Sequence, residues 1–430
     1  MVNTTAICLL LIVFFGLLII RVPISFSLAI STFVTAIYLK IPSMVVVQQM
    51  VKGINSFSLV AIPFFIVAGE IMGEGGISKR LIDFSNVLVG RMRGGLAMVN
   101  VLASMFFGGI SGSSVADTSS IGSIMIPMME KQGYDKDYAV DVTITGSTQG
   151  ILIPPSHNMI IYSLAAGGIS VGNLFLGGVI PGILLGVMLM VLSYIIAVKR
   201  NYPRGEKVPF KEAVKIIKDG ILGLFTAVII IVGVSTGVFT ATESAAIATV
   251  YAFIITFFVY KDIKISRMIP ILKNSLRTLS MVLALIATSS AFAWMMAYLK
   301  IPFLVTNALI SISNNKYVIL LIVNIVLLIL GMIMDMAPLI LICTPILLPV
   351  VTKVGMDPIQ FGIVLMLNLG IGLLTPPVGS TLFVGCSIAK IPMEKIAKSL
   401  MPFYAMMFIV LMILTYVPQV TLFLPRLLGK

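Results

Sequence analysis

One stretch of the chain, residues 108 to 158, most limits how this sequence can fold. It opens with the segment Gly108–Ser120 and closes with the segment Gly146–Asn158, and both segments are small, polar and rich in helix breakers. Long apolar runs lie on either side of each segment. Backbone that leaves helical geometry at membrane depth frees N–H and C=O groups, which cost several kcal/mol unless protein, water or a ligand satisfies them. We therefore expect this stretch to line a cavity and to form half of a binding site for a solute and its coupling ions.

The composition is that of a polytopic membrane protein. Of the 430 residues, 59% are hydrophobic and 10% are charged, whereas a soluble domain carries about 25% charged residues. The apolar runs suffice for about ten spans of roughly 20 residues each. The net charge of +13 indicates Lys and Arg in the loops of an inner membrane protein rather than nucleic-acid binding. The three cysteines form no CxxC pair and there is one histidine, so we predict neither a disulfide nor a histidine-based metal site.

Two kinds of interrupted element stand among the plain spans. The first is a hairpin of two half-length apolar helices, which at 1.5 Å per residue reach about half way across the membrane. The second is a full-length helix unwound by two consecutive prolines, because proline lacks the backbone donor and clashes with the preceding turn. We predict two hairpins, over residues 96–129 and 317–351, and the tip of the first hairpin is Gly108–Ser120. We predict broken helices over residues 138–167 and 359–388. The other predictions are a charged loop at Glu74–Arg93, in-plane helices at Ile41–Gly53 and Lys261–Arg277, and a last span at Leu400–Phe423.

These features recur at a separation of 222 residues along the chain, which is called the repeat offset below. Five matches share it, namely Pro127 with Pro349, Gly133 with Gly355, Asp135 with Asp357, Gly150 with Gly372, and Pro154-Pro155 with Pro376-Pro377. Five matches at one offset, inside matching hairpin and broken-helix patterns, indicate an internal duplication. The predicted fold class is therefore an all-α polytopic membrane protein with two repeats, each holding a re-entrant hairpin and a broken transmembrane helix.

The distribution of basic residues predicts the orientation. With the N-terminus outside, the loops on the cytoplasmic side hold 22 of the 29 Lys and Arg residues, in agreement with the positive-inside rule. In this arrangement the first hairpin enters from the cytoplasm and the second from the periplasm, so the repeats are inverted, as in secondary transporters. The predicted domains span residues 1–56 and 57–198 in the first repeat and residues 199–277, which include the basic loop, and 278–430 in the second repeat.

The hairpin tips and helix breaks supply the ligands that a Na⁺-coupled carrier of carboxylates needs. Unwound backbone exposes carbonyl oxygens, which suit a hard cation, and half-helix N-termini carry partial positive charge, which suits a carboxylate. The first predicted Na⁺ site combines Ser111, Gly112, Ser114 and Asp117 with Gly150, Ile151 and Pro154. The second combines Met334 and Asp335 with Thr375, Pro376 and Gly379. The predicted solute contacts are Ser113, Ser114, Thr118, Asn158, Ser380 and Thr381.

Four titratable residues near these segments have a functional and a structural interpretation. Asp117 and Asp335 are carboxylates at membrane depth, which by default indicates function, although either could simply cap a helix. We favour function for Asp335, and both interpretations stay open for Asp117. His157 follows the double proline and is interpreted as a packing residue, because a lone histidine lacks relay partners. Glu70 lies near the end of a span and is interpreted as structural.

Three of these segments resemble those of a known family. The tip Gly108–Ser120, the break Gln149–Ser156 and the break Thr375–Gly379 are similar to those of the large membrane subunit of tripartite ATP-independent periplasmic (TRAP) transporters. The resemblance covers nearly the whole chain. It implies an elevator mechanism, in which the two halves of a transport domain, at 57–198 and 278–430, move against scaffold helices at 1–56 and 199–277. It also implies coupling to a Na⁺ gradient and two partners, a small four-helix membrane subunit and a periplasmic solute-binding protein. It is closest to sialic acid systems, while systems for C4-dicarboxylates and 2-oxo acids share the same motifs.

Other classes of protein fit the residues less well. A stand-alone Na⁺/dicarboxylate symporter would share the architecture and would need no binding protein. An intramembrane enzyme would carry GxSxG, HExxH or paired aspartates, and the tip reads Gly-Ile-Ser-Gly-Ser, so we predict no enzyme. A channel would not need a closed site at the midplane, and an ATP-driven pump would need a Walker A motif. We expect a multi-pass protein of the bacterial inner membrane with both termini in the periplasm.

Overall fold

In a computed structural model, which describes residues 3–205, 207–313 and 315–429, the chain is built from helices. Apart from one antiparallel bridge between Arg93 and Arg204, every regular element in these ranges is helical. The first ten helices are α1 Thr4–Ile19, α2 Ile24–Tyr38, α3 Ser43–Ile54, α4 Ala61–Glu74, α5 Ile77–Val89, α6 Gly95–Ser111, α7 Ser114–Lys131, α8 Lys136–Gln149, α9 His157–Ala165 and α10 Val171–Lys199.

The remaining helices begin after the basic loop. They are α11 Phe210–Ser235, α12 Ala241–Ile254, which continues as a π-helix over Ile255–Tyr260, α13 Met268–Tyr298, α14 Ile301–Ile312, α15 Lys316–Gly331, α16 Met336–Lys353, α17 Pro358–Gly372, α18 Ser380–Ala389, α19 Met393–Ser399, α20 Met401–Tyr416 and α21 Pro418–Leu428. Among the described residues, five helices are long and apolar enough to cross a membrane, or up to seven if each bent helix pair counts as one span.

The helix boundaries confirm the duplication. The start of α7 at Ser114 and the start of α16 at Met336 are related by the repeat offset, and so are the ends of these helices, Lys131 and Lys353. The same offset relates the starts of α8 and α17 and the starts of α10 and α19. Even the turn conformation repeats, because the matched glycines Gly133 and Gly355 have φ of 85° and 83°. Both X-Pro bonds of the matched double prolines are cis.

Two broken helices form the centre of the molecule. Every residue from Tyr138 to Gln149 in α8 is buried, and so is every residue from Gln360 to Gly372 in α17. The polar helix α8 tolerates this because its hydroxyls donate to carbonyls of the preceding turn, as in Thr145 Oγ1 to the Asp141 carbonyl (2.6 Å) and Ser147 Oγ to the Thr143 carbonyl (2.8 Å). Each central helix packs against the hairpin of its own repeat.

The halves are also interlocked across the repeats. The short helix α9, which follows the first break, packs against α16 of the second hairpin, and α18, which follows the second break, packs against α7 of the first hairpin. Hairpins and broken helices therefore form one continuous packed unit.

Two predicted boundaries in the first half of the chain are wrong. The loop expected at Glu74–Arg93 contains α5, whose buried Ile77, Leu81 and Ile82 recur with helical spacing; it is bent by 72° from α4. The first hairpin tip is two residues long rather than thirteen: Gly112 adopts φ +61° and Ser113 caps α7. The Ser- and Gly-rich flanks are helical because small side chains permit the close packing found there.

The second half brings further corrections. The in-plane helix predicted at Lys261–Arg277 is not separate from the following span, because α13 runs without interruption from Met268 to Tyr298 and contains no glycine or proline after its first turn. The last span predicted at Leu400–Phe423 is divided between α20 and α21 at Val417. The helix α14 was not predicted. The assignment of the chain to scaffold and transport parts stays a prediction, and Lys430, its last residue, lies outside the described residues.

Candidate functional site

Each hairpin touches the broken helix of its own repeat at a pair of glycines. A Cβ on Gly108 would lie 2.1 Å from the Cα of Gly150, and a Cβ on Gly331 would lie 3.2 Å from the Cα of Gly372. The absence of side chains at these positions therefore lets the backbones of hairpin and broken helix meet. The two contacts hold each hairpin tip beside the unwound segment that the sequence analysis paired with it.

The two segments that carry the first predicted Na⁺ site adjoin here. Gly109 faces the Pro154 carbonyl, since a Cβ on Gly109 would lie 3.2 Å from that oxygen, and Gly112 adjoins Ser156. Ser111 lies at the end of α6 and Ile151 is buried within the break, one residue after Gly150. Ser114 differs, because its hydroxyl points to the other repeat.

Asp117 is a buried carboxylate with unused hydrogen-bonding capacity. It lies in the first turn of α7, its exposed fraction is 0%, and neither carboxylate oxygen has a hydrogen-bond partner among the described residues. The hydroxyls of Ser104 and Ser147 approach the carboxylate from α6 and α8 without reaching normal hydrogen-bond geometry. Because an unpaired buried charge is costly, such a group is suited to binding a cation or a proton.

The second predicted site is assembled from equivalent backbone and a more exposed carboxylate. The Val378 N–H donates to the Met332 carbonyl (3.2 Å), which joins the second break to the second hairpin tip. Asp335 is exposed at the N-cap of α16, and the preceding Met334 is buried. The ligands predicted from the break lie within three residues of Val378: Thr375, whose hydroxyl donates to the Ile371 carbonyl (2.8 Å), Pro376, and Gly379, with φ +48°.

The predicted solute contacts cluster in part. Ser114 Oγ and Thr381 Oγ1 are 3.0 Å apart and link the first hairpin to the second broken helix. Asn158 donates to the Gly112 carbonyl (3.3 Å) and ties the first break to the first tip. The hydroxyls of Thr118 and Ser380 have no partner among the described residues. Ser113 caps α7 by accepting the Ala116 N–H (3.4 Å) and is half-buried.

A cavity of about 530 Å³, called cavity A below, opens beside the first tip. It lies between α4, α7 and α13, and Ser111, Ser113 and His157 contribute to its wall. Two glutamates of α4 that the sequence analysis did not assign to the site, Glu70 and Glu74, also line it. Their spacing of four residues places them on one helix face. This spacing is the sequence signal that could have assigned them to the site. His157, interpreted as a packing residue, is half-buried at this wall.

The chemistry of the donors fits a hard monovalent cation. Hydroxyl, carbonyl and single carboxylate oxygens are available at both sites, and oxygen is the ligand that hard cations prefer. Within the described ranges, no group of three or more His, Cys, Asp or Glu residues comes together. The oxygen donors of the sets Ser111 to Pro154 and Met334 to Gly379 could therefore hold Na⁺.

A polar cluster outside the membrane-spanning segments fixes one end of the central helix. Asp135 precedes α8 and accepts hydrogen bonds from the Tyr202 hydroxyl (2.6 Å) and Arg200 Nη1 (2.9 Å). The Tyr202 hydrogen bond, with the help of the Arg200 guanidinium, holds the pKa of the Asp135 carboxyl below its usual range. The cluster ties the turn between the first hairpin and α8 to the end of α10.

Comparison with known families gives a consistent result over nearly the whole chain. Residues 11–420 match the family described as "Tripartite ATP-independent periplasmic transporter, DctM component". The chain is 40% identical to the C4-dicarboxylate TRAP transporter large permease protein DctM of Vibrio cholerae, over 98% of both chains. It is 38% identical to the sialic acid TRAP transporter large permease protein SiaM of the same species, over 96% of both chains.

Among solved structures, the fold is similar to that of the YdaH transporter of Alcanivorax borkumensis. The TM-score is 0.63, the alignment covers 85% of this chain and 86% of that chain, and the sequences are 13% identical. At that identity the similarity concerns the fold alone.

Proposed function

The chain belongs to the family of the DctM component of tripartite ATP-independent periplasmic transporters, and from this premise we propose that it carries a small organic acid across the bacterial inner membrane together with Na⁺. Proteins of this family are the large permease subunits of secondary uptake systems.

One observation supports the proposed transport function most strongly. Two repeat-related hairpins contact two broken helices, and the two halves of the chain join at the Ser114–Thr381 contact. This arrangement encloses unwound backbone and partial helix charges within the membrane, where irregular backbone persists only if it lines a cavity or a site. A channel does not require two such closed, symmetric units. A carrier requires a binding site that is accessible from each side of the membrane in turn.

The charge at the site supports the proposed Na⁺ coupling. The buried Asp117 carboxylate has no partner among the described residues, so a cation bound with the backbone oxygens near Gly112 and Gly150 would neutralise it. The second set, near Asp335 and Thr375, provides for a second ion. Bound cations would then hold each hairpin tip against its broken helix and complete the hydroxyl-lined site for the solute.

The solute is proposed to be a carboxylate, with sialic acid (N-acetylneuraminate) as the first candidate and C4-dicarboxylates or 2-oxo acids as alternatives. The N-termini of α7 and α18 carry Ser113, Ser114, Ser380 and Thr381, and helix N-termini favour a negatively charged group. Relatives named for sialic acid and for C4-dicarboxylates resemble this chain to a similar degree, so transport assays have to decide between them.

Transport is proposed to proceed by an elevator movement with two partners. The interlocked hairpins and broken helices, within residues 57–198 and 278–430, would move as a unit against scaffold helices within 1–56 and 199–277. A small four-helix membrane subunit would support the scaffold, and a periplasmic binding protein would deliver the solute. The termini would lie in the periplasm.

Uptake into proteoliposomes tests the proposal. The vesicles contain this chain with its small subunit, and radiolabelled sialic acid or a C4-dicarboxylate is supplied with and without an inward Na⁺ gradient and with and without the binding protein. We expect uptake of one of these acids only when both the gradient and the binding protein are present.

The other outcomes have definite meanings. Na⁺-driven uptake without the binding protein would favour a stand-alone symporter. Uptake that ignores the Na⁺ gradient would refute the coupling. Uptake of a C4-dicarboxylate but not of sialic acid would leave the mechanism in place and replace the first candidate solute.

A further inference from the structure

A second, smaller cavity has the position in the second repeat that cavity A has in the first. This cavity B has a volume of about 260 Å³ and lies between α3, α9, α13 and α16. Ser119 of α7 lines cavity A and Leu341 of α16 lines cavity B, and the repeat offset relates these two residues. The cavities are therefore equivalents under the duplication, each beside the second helix of a hairpin.

Inverted repeats place such equivalent cavities on opposite sides of a membrane. Cavity A adjoins the end of α4 that leads to Lys79 and Arg80, the side that the distribution of basic residues predicts to be cytoplasmic. Cavity B adjoins α3, which the same distribution predicts to be periplasmic. With this orientation, cavity A would face the cytoplasm and cavity B the periplasm.

The walls of the two cavities have opposite charge. Cavity A carries Glu70 and Glu74, whereas the charged residue lining cavity B is Lys52, accompanied by the polar Gln49 and Ser289. An anion would thus meet a cationic wall on the outer side and an acidic wall on the inner side. Charges that line a cleft raise the local concentration of an oppositely charged ligand.

The polar groups of cavity B have capacity for a ligand. Lys52 is exposed, and among the described residues no carboxylate lies within ion-pair distance of it. The exposed fraction of Ser289 is 1%, and its hydroxyl has no hydrogen-bond partner within the described part of the chain. An ammonium group and a free hydroxyl are both donors that a carboxylate accepts.

We propose that cavity B is the outward half of the solute path and that Lys52, Gln49 and Ser289 form an entry subsite for the carboxylate of the solute. This inference rests on the proposed function. Lys52 also suits the last turn of α3, where a cation stabilises the helix dipole. That structural role acts on stability and does not require contact with the solute.

Charge rescue at residue 52 tests the subsite in the complete complex. Cys8 is exposed while Cys343 and Cys386 are buried, so the background is Cys8→Ser, into which Lys52→Cys is introduced. Lys40→Cys is the matched control, because Lys40 is an exposed lysine on the same predicted side and is not among the residues lining the two cavities. Each variant is treated from outside with a thiosulfonate that adds an aminoethyl group or one that adds a sulfonatoethyl group.

We expect Lys52→Cys to raise the KM for solute about three- to fivefold, as befits a partly solvated charge pair, at unchanged maximal rate. The aminoethyl reagent should restore the KM and the sulfonatoethyl reagent should raise it further. Free solute should slow modification of the thiol in Lys52→Cys and should not slow it in Lys40→Cys.

Three results would overturn the subsite: an unchanged KM in Lys52→Cys, rescue that does not depend on the sign of the added charge, or modification that solute does not slow. If the Cys8→Ser background itself shows no Na⁺-dependent uptake of an organic acid, the proposed function fails instead. The two failures are therefore distinguishable.

Discussion

The glycine contact between the first hairpin and its broken helix predicts a large effect of one methyl group. In Gly108→Ala the new Cβ would lie 2.1 Å from the Cα of Gly150, whereas ordinary contact begins at 3.4 Å. The two backbones would have to separate until that difference is made up, because neither partner has a flexible side chain that could move aside. Overpacking of this kind costs about 1–3 kcal/mol, and it is relieved by moving apart the segments that carry the proposed Na⁺ ligands.

We therefore expect Gly108→Ala to raise the Na⁺ concentration for half-maximal uptake by about tenfold or more, equivalent to about 1.4 kcal/mol. Na⁺ titration of solute uptake in proteoliposomes measures this quantity. Gly331→Ala, with its milder 3.2 Å approach to the Cα of Gly372, should produce a smaller rise. Gly16→Ala is the control, because nothing lies within 4 Å of the added Cβ and alanine favours the helix.

Size-exclusion profiles of the detergent-solubilised variants show whether each one folds. A folded Gly108→Ala with the Na⁺ dependence of the unmodified protein would refute the idea that this contact sets the geometry of the ion site. The idea would be supported if the Na⁺ concentration for half-maximal uptake increases in the order Gly16→Ala, Gly331→Ala, Gly108→Ala.

Three further predictions concern single side chains. Asp117→Asn removes the buried charge, so Na⁺-dependent uptake should fall at least about tenfold with the protein still folded; Na⁺ titration of uptake that matches the unmodified protein would contradict this. Thr381→Val removes the partner of Ser114 and should raise the KM for solute several-fold, which uptake at varied solute concentration measures, while an unchanged KM would exclude a role in the solute site. Because the pKa of Asp135 is lowered in the folded state, its stabilising effect is fully present above the unfolded value of about 4 and is lost as pH falls through the lower folded value. Thermal unfolding in detergent should therefore show a smaller loss of stability between pH 5 and pH 3 in Asp135→Asn, and equal losses would contradict a stabilising role of the ionised Asp135 carboxylate.

The duplicated architecture could be predicted from sequence because its signals are local. Two prolines in a row interrupt a helix whatever surrounds them, and Gly133 and Gly355 have the same conformation because the same turn needs a positive φ in both repeats. The repeat offset transfers each local inference from one half to the other. The fold class followed from these features together with the apolar composition.

The helix boundaries at the first tip could not be predicted in the same way. Glycine and serine are weak helix formers in isolation, which led to an overlong tip. In the folded chain tertiary packing overrides that preference, because the small residues at Gly108 and Gly109 allow the hairpin to touch the broken helix. Similarly, the charged residues of α5 favour a loop, whereas its buried Ile77, Leu81 and Ile82 recur with the spacing of a helix.

The contacts between distant segments were also beyond the sequence pattern. Nothing in the pattern of Ser114 and Thr381, which lie in different repeats, shows that their hydroxyls meet. Repeat symmetry treated Asp117 and Asp335 alike, although Leu339 and Ser113 are their true equivalents at the repeat offset. The structure separates the two carboxylates, one fully buried and one exposed, because they lie at different turns of their helices.

Simultaneous measurement of ²²Na⁺ and labelled solute entry tests the central claim most directly. The complete complex is reconstituted into proteoliposomes, and both fluxes are followed from the same vesicles with saturating solute-loaded binding protein. Two proposed ion sites predict that Na⁺ enters only with solute, at about two or more ions per solute molecule. Solute entry with no accompanying Na⁺ would contradict Na⁺-coupled transport by this chain.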